Sequence, residues 1–381
     1  MLGGIEGMHA QATGWQVTRR QATGWLAAAL LVIGATPALA DWQDGGGARW
    51  QDTLAKARAE GKVVVVGRPD MAKPFSEGFK RDTGINLEFL GGQGRDLESR
   101  VLREGRSGNV TLDIILSGAG DVERIKEGFM QPIKPELMLP DVTDGRNWAE
   151  GKLKWMDKAE TYMFIGAEYI FGWPVFNSDQ VKPGEITSWQ DLLKPQYKGK
   201  IAAWDPRASG PGLAAASYLA DVFGIDFVKK LYIGQNVTYA RDARQLIDWT
   251  ARGTYSIVLG SLPLEIERFR ESGVKNLAVG DMSDGHGTLL GGSAVMWQMK
   301  NAPHPNAATV FVNWFASSRG QQIYSDVWQT PSRRTDVHNA SIPDYVIPKD
   351  GVQYLDQYQE DWYVNVRPKV QDAIVKALDE K

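Results

Sequence analysis

Lys62-Val63-Val64-Val65-Val66-Gly67 sets four consecutive valines between a lysine and a glycine. A short β-branched run without polar alternation is the mark of a strand buried on both faces, as in a parallel sheet. The chain around it alternates. Residues 50–60 read as an amphipathic helix stopped by Gly61, and residues 71–83 as a helix stopped by Gly84. A second strand follows at 85–90, a turn at Gly91-Gly92-Gln93-Gly94, and a helix over 95–104 stopped by Gly105. A third strand at 112–116 leads through Ser117-Gly118-Ala119-Gly120 into a helix ending at Gly128. Three strand–helix repeats predict an α/β layer with a mostly parallel sheet.

Farther on, residues 162–175 form a long apolar and aromatic run without a helical stripe, read as one long strand leaving this layer. Alternation then resumes, with strands at 200–203 and 255–259, another at 277–280, and helices at 213–223, 227–233 and 242–252. A second long strand is expected over 287–298, followed by a helix at 305–317 with an apolar stripe at Ala308, Phe311, Val312 and Phe315. Two α/β units joined by two long extended crossovers predict two lobes on a hinge. The expected division is 41–165 plus 290–335 for one lobe and 172–285 for the other. Residues 336–381 form a C-terminal extension, helical near 369–378, whose lobe the sequence leaves open.

The first forty residues read as an address. Arg19 and Arg20 precede an uncharged, largely apolar stretch that closes on Ala38-Leu39-Ala40 before Asp41. That order of basic, apolar and small-residue regions is a secretory signal, with the paired arginines leaving both Sec and twin-arginine export open. Periplasmic localisation is therefore expected. The chain of 381 residues carries 43 Lys and Arg against 46 Asp and Glu, a balance unlike that of a protein that coats nucleic acid. It has no cysteine, which excludes disulfides, thiolate zinc sites, iron–sulfur clusters and cysteine nucleophiles. Its four histidines leave little for a histidine-rich metal site.

Several stretches carry a family likeness. They are Phe79-Lys80-Arg81-Asp82-Thr83-Gly84-Ile85, Leu112-Asp113-Ile114-Ile115-Leu116-Ser117, Trp189-Gln190-Asp191-Leu192-Leu193, Tyr197-Lys198-Gly199-Lys200-Ile201 and Ala302-Pro303-His304-Pro305-Asn306. In order and spacing the mature chain resembles the type II periplasmic solute-binding proteins of ABC importers. It is most like the ferric-ion-binding-like branch (extracellular solute-binding family 1), which also holds binders of organic phosphates and phosphonates. The resemblance implies a two-lobe α/β fold, a ligand held between the lobes, and delivery to an inner-membrane permease and its ATPase. It implies no enzymatic activity and no cofactor, and a monomer is expected. Ferric binders of this branch use adjacent tyrosines on one lobe and a carboxylate or histidine from the other. The corresponding loops here read Gly260-Ser261-Leu262-Pro263-Leu264 and Ser117-Gly118-Ala119, with neither. No metal is therefore expected, whereas the family's anion loop is retained as Ser209-Gly210.

The candidate ligand residues follow from two rules. Ligands in open α/β sheets bind off the carboxyl ends of strands, which nominates Arg68, Asp70, Ser117, Gly118 and Ser261. Helix starts present free N–H groups to anions, which nominates Ser209 and Gly210, Gly94 and Arg95, and Arg241 with Asp242. Arg207 is close enough to add a bidentate guanidinium. Each has a plainer reading as a helix cap or a solvated cation. Among the fourteen tryptophans, Trp173, Trp204 and Trp328 lie nearest the expected cleft. The leading function is binding of a small organic anion bearing phosphate, phosphonate or carboxylate. The rival readings are a secreted carbohydrate-active enzyme and a sensory receptor subunit on the same fold.

Overall fold

The computed structural model describes residues 41–92, 95–349 and 351–379, with backbone alone for 95–98. The leader expected at 1–40 and Gly94 lie outside these residues, as does the side chain of Arg95. The valine strand Lys62–Gly67 sits inside a seven-stranded sheet. Its side chains alternate between two cores. Val63 and Val65 join Trp50, Phe75, Phe311 and Trp314 on one face, while Val64 and Val66 join Val101, Val122 and Trp297 on the other. This is why no polar residue interrupts the run. Asn86–Gly91 and Ile114–Ser117 flank it in parallel, and Val295–Met299 returns antiparallel to Ile114–Ser117. A second sheet of five strands is ordered Thr238–Ala240, Ile201–Trp204, Ile257–Leu259, Val175–Asn177, Leu277–Val279, with its first three parallel.

The two expected long strands are not continuous. The first run breaks into Phe164–Ile165, Tyr169–Phe171 and Val175–Asn177, each in a different sheet. The second breaks into Thr288–Leu290 and Val295–Met299. Glycines explain the breaks. Gly166 abuts the Gln321 amide, where a Cβ would approach to 2.4 Å, and Gly172 and Gly292 have φ of +105° and +55°. The middle pieces pair with each other and with Leu355–Asp356 in a three-stranded ribbon between the two sheets. Gly105 also departs from expectation: the helix Arg95–Ser107 continues through it, and a Cβ there would lie 2.6 Å from the Phe129 ring. It is a packing glycine, and the helix stops at Gly108, with φ +74°. The helix Pro305–Ala316 is buried all round from Ala307 onward, not along one stripe, because it lies between two other helices and the first sheet. Helices Pro263–Glu271 and Ser318–Trp328 were not anticipated. The last helix, Arg367–Asp379, packs on Pro211–Phe223 and sinks Ile374 into the core beneath the second sheet.

Candidate functional site

A cavity of about 520 Å³ opens between the two sheets, bounded by both of them, the ribbon and the C-terminal segment. Strand ends build its first wall. Gly67 and Arg68 leave the valine strand, while Ser117 and Gly118 leave Ile114–Ser117. Arg68 lies with its guanidinium carbon 4.3 Å from the centroid of the Trp328 ring. Asp70 is 3.7 Å away, and the same carboxylate accepts a 3.2 Å hydrogen bond from Arg268. The Arg68 Nε is buried without a partner, as is the Trp328 Nε1. Burial, partly offset by Asp70, pulls the Arg68 pKa below its ordinary value. Asp121 and Arg124 lie farther along this wall and answer each other at 3.0 Å; Asp121 also accepts from Trp297 Nε1 at 2.8 Å.

The opposite wall is the loop into Pro211–Phe223. Gly210 has φ +139°, Pro211 occupies the first helical position, and no side chain caps the first turn. Ser209 therefore does not serve as the cap. Its hydroxyl accepts a 2.8 Å hydrogen bond from Arg367 instead. Gly212 lets this turn lie against the strand end, since a Cβ there would come 2.4 Å from the Trp204 carbonyl. Trp204 lines the cavity with Trp328; Trp173 does not, and donates to the Tyr345 carbonyl at 3.2 Å.

Of the residues nominated from sequence, Arg68, Ser117, Gly118, Ser209 and Gly210 share this cavity. The other nominated residues that the structure describes with side chains, Asp70, Arg207, Arg241, Asp242 and Ser261, are not among its lining. Arg207 and Arg241 both bind the buried Asp205 carboxylate, at 2.9 and 2.8 Å, and Arg207 also lies over Tyr239. Asp242 caps Ala243–Ala251 by accepting from Gln245 N–H at 2.8 Å. Asp70 is engaged with the two arginines, and Ser261 is buried with its hydroxyl unpartnered. Residues not anticipated are Tyr169 from the ribbon and Tyr358, Trp362, Tyr363 and Arg367 from the C-terminal segment. The only signal for the latter group is aromatic crowding between 354 and 363. The phenols absent from the two loops thus reach the cavity from elsewhere. Burial pushes Tyr169 up to about 12 and Tyr358 well above the ordinary value, so both are held as neutral phenols. Among the described residues no cluster of three or more His, Asp or Glu is arranged to hold a metal. No described helix is long and apolar enough to cross a membrane.

Known proteins share this architecture. An uncharacterised protein of Haemophilus influenzae is 24% identical over 284 residues, 70% of this chain and 76% of that one. The structure of a Trichodesmium protein, IdiA or FutA, in complex with iron and citrate superposes with a TM-score of 0.62 at 18% identity. It covers 83% of this chain and 99% of its own. The periplasmic binding protein AfuA of Actinobacillus pleuropneumoniae, with fructose-6-phosphate bound, gives 0.61 at 18% identity, covering 84% and 97%. These are two-lobe type II periplasmic binding proteins, and the fold here is theirs. Residues 70–347 match the bacterial extracellular solute-binding proteins, and the chain belongs to that family.

Proposed function

We propose that the protein binds a small organic anion between its lobes and delivers it to an ABC permease in the inner membrane. The observation that carries this reading is Arg367, a guanidinium facing the cavity with no ion pair among the described residues, in the same cavity as Arg68, which is 3.7 Å from Asp70. A neutral sugar would leave Arg367 unpaired and Arg68 with only its long contact to Asp70 on closure, which is costly, whereas an oxyanion satisfies them with short charge-assisted bonds. The uncapped first turn of Pro211–Phe223 adds free backbone donors and the positive end of a helix dipole. A glycosidase would need two carboxylates facing the cleft, and Asp121, already paired, is the only one among the described lining residues. The reading includes export by the leader at 1–40, a monomeric form and no resident metal.

The mechanism is closure. A ligand that touches both walls stabilises the closed arrangement by its differential affinity for it. Contacts across the cleft are present in Arg268 to Asp70 at 3.2 Å and Gln329 to Glu271 at 2.8 Å. The test is a thermal-shift panel of phosphorylated, carboxylated, sulfonated and neutral solutes. An anion at a hundred times its Kd should add about 2.7 kcal/mol of stability, and neutral solutes none. Stabilisation by neutral solutes alone would refute the reading.

A further inference from the structure

We propose that the C-terminal segment 357–367 is part of the ligand site, with Arg367 contacting the ligand's anionic group and Trp362 covering its body. The inference deepens the anion reading and rests on it.

The family match ends at residue 347, so this segment lies beyond it. It nevertheless forms a side of the cavity. It is fixed there rather than trailing past. Gln357 donates to the Ala214 carbonyl at 2.9 Å, and Tyr358 donates its hydroxyl proton to the Gly292 carbonyl at 3.1 Å. The helix that begins at Arg367 is anchored by the buried Ile374 and Ala377. The segment also reaches the first wall: a Cβ on Gly120 would come within 3.1 Å of the Tyr363 hydroxyl. It therefore touches both sides of the cleft.

Arg367 is the chemically distinctive group. It lies over the Tyr363 ring at 4.4 Å and spends one N–H on Ser209, yet it has no ion pair among the described residues. A guanidinium has five N–H donors, so most of its capacity remains for an oxyanion beside the uncapped helix start. Trp362, Trp204 and Trp328 give the same cavity apolar faces. The fitting ligand class is a phosphate, phosphonate or carboxylate on an aromatic or apolar body.

The experiment is isothermal titration of the full mature chain with phenyl phosphate, phenylphosphonate, benzoate and phenol. The proteins compared are wild type, Arg367→Gln, Arg367→Lys and Trp362→Leu. At least one of the three anions should bind wild type. Arg367→Gln should weaken it about tenfold or more, with the unliganded Tm unchanged. Arg367→Lys should recover part of the loss, and Trp362→Leu should weaken the aromatic anion more than inorganic phosphate. Arg367→Gln binding as tightly as wild type, or more tightly, would overturn the role of the segment while leaving the anion reading intact. Wild-type protein that binds none of the three anions would overturn both.

Discussion

Replacing Arg68 by glutamine separates ligand binding from stability. In the unliganded protein two terms oppose each other. The variant loses a cation–π contact with Trp328, on the order of 0.5–2 kcal/mol. It also removes a buried, unpartnered Nε–H, whose burial costs about 1–3 kcal/mol. The net change in unliganded stability should therefore be about 1 kcal/mol or less. With an oxyanion bound, the same replacement removes a charge-assisted hydrogen bond of roughly 1.5–3 kcal/mol, and affinity should fall about 10- to 150-fold. Suppose the anion is supplied at a hundred times the wild-type Kd and the loss is a hundredfold. Ligand stabilisation then drops from about 2.7 to about 0.4 kcal/mol. Calorimetric titration with the tightest anion of the panel, alongside thermal melts with and without it, reads both quantities. An unchanged Kd in Arg68→Gln would refute the assignment. So would an unliganded stability loss of several kcal/mol, which would make Arg68 a structural residue.

Two further outcomes test the frame around the cavity. Glu168 is buried and accepts from Lys154 and from the buried Arg333, while Lys154 also donates to Asp356 at 2.6 Å. Glu168→Gln leaves Lys154 with Asp356 and the buried Arg333 with only the exposed Glu150, 3.7 Å away. It should cost about 3 kcal/mol in urea unfolding, and a loss under about 1 kcal/mol would show that the network is not held tightly. Burial alone raises the pKa of Asp205, but hydrogen bonds from Arg207 and Arg241 outweigh it and hold the carboxyl below its usual range. Its contribution is present above the unfolded pKa near 3.9 and is lost as pH falls below it. Asp205→Asn should therefore cost about 1–2 kcal/mol at pH 6, a figure discounted for the exposure of both arginines. The gap from wild type should narrow as pH falls below the unfolded value and through the depressed folded one. A gap independent of pH would count against the charge argument.

What the sequence made legible was local. The valine strand can be read to the residue, because a strand buried on both faces has to be apolar at every position and 63–66 are. Strand-end and helix-start rules are equally local, and they point to Arg68, Ser117, Gly118, Ser209 and Gly210, which the fold gathers around one cavity. The rest depends on distant partners. The capture of Arg241 by Asp205 joins positions 36 apart, so no neighbouring residue announces that its charge is already answered. The run 162–175 reads as one strand because hydrophobicity does not say which sheet a strand joins. The cues to its division were Gly166 and Gly172, whose meaning depends on Gln321 and on a positive φ. Arg367 and Tyr169 reach the cavity only because the C-terminal helix and the ribbon are fixed by packing from other elements.

The charges around the cavity are the basis for proposing an anion rather than a metal ion as ligand. Arg124 is neutralised by Asp121, so that pair contributes no net charge. Arg68 and Arg268 both face Asp70, and Arg268 also pairs with Glu265 at 2.9 Å, so the charges at that corner balance. Arg367 has a hydroxyl and a ring as neighbours and no ion pair among the described residues. On the proposed reading, one cation without an ion pair beside a helix N-terminus gives the site a positive potential that would oppose a bare metal ion and favour an anion. The phenols do not reverse this. A ferric site uses phenolates, but burial holds Tyr169 and Tyr358 in the neutral form. Ionising them would require the incoming cation to overcome that burial, which the Arg68 charge only partly offsets at Tyr169. A phosphate monoester or phosphonate would bring about two negative charges and three acceptor oxygens to the unpaired N–H groups of Arg367 and the helix start. A monocarboxylate would bring less charge and fewer acceptor oxygens to the same donors, so within the panel phenyl phosphate should bind more tightly than benzoate.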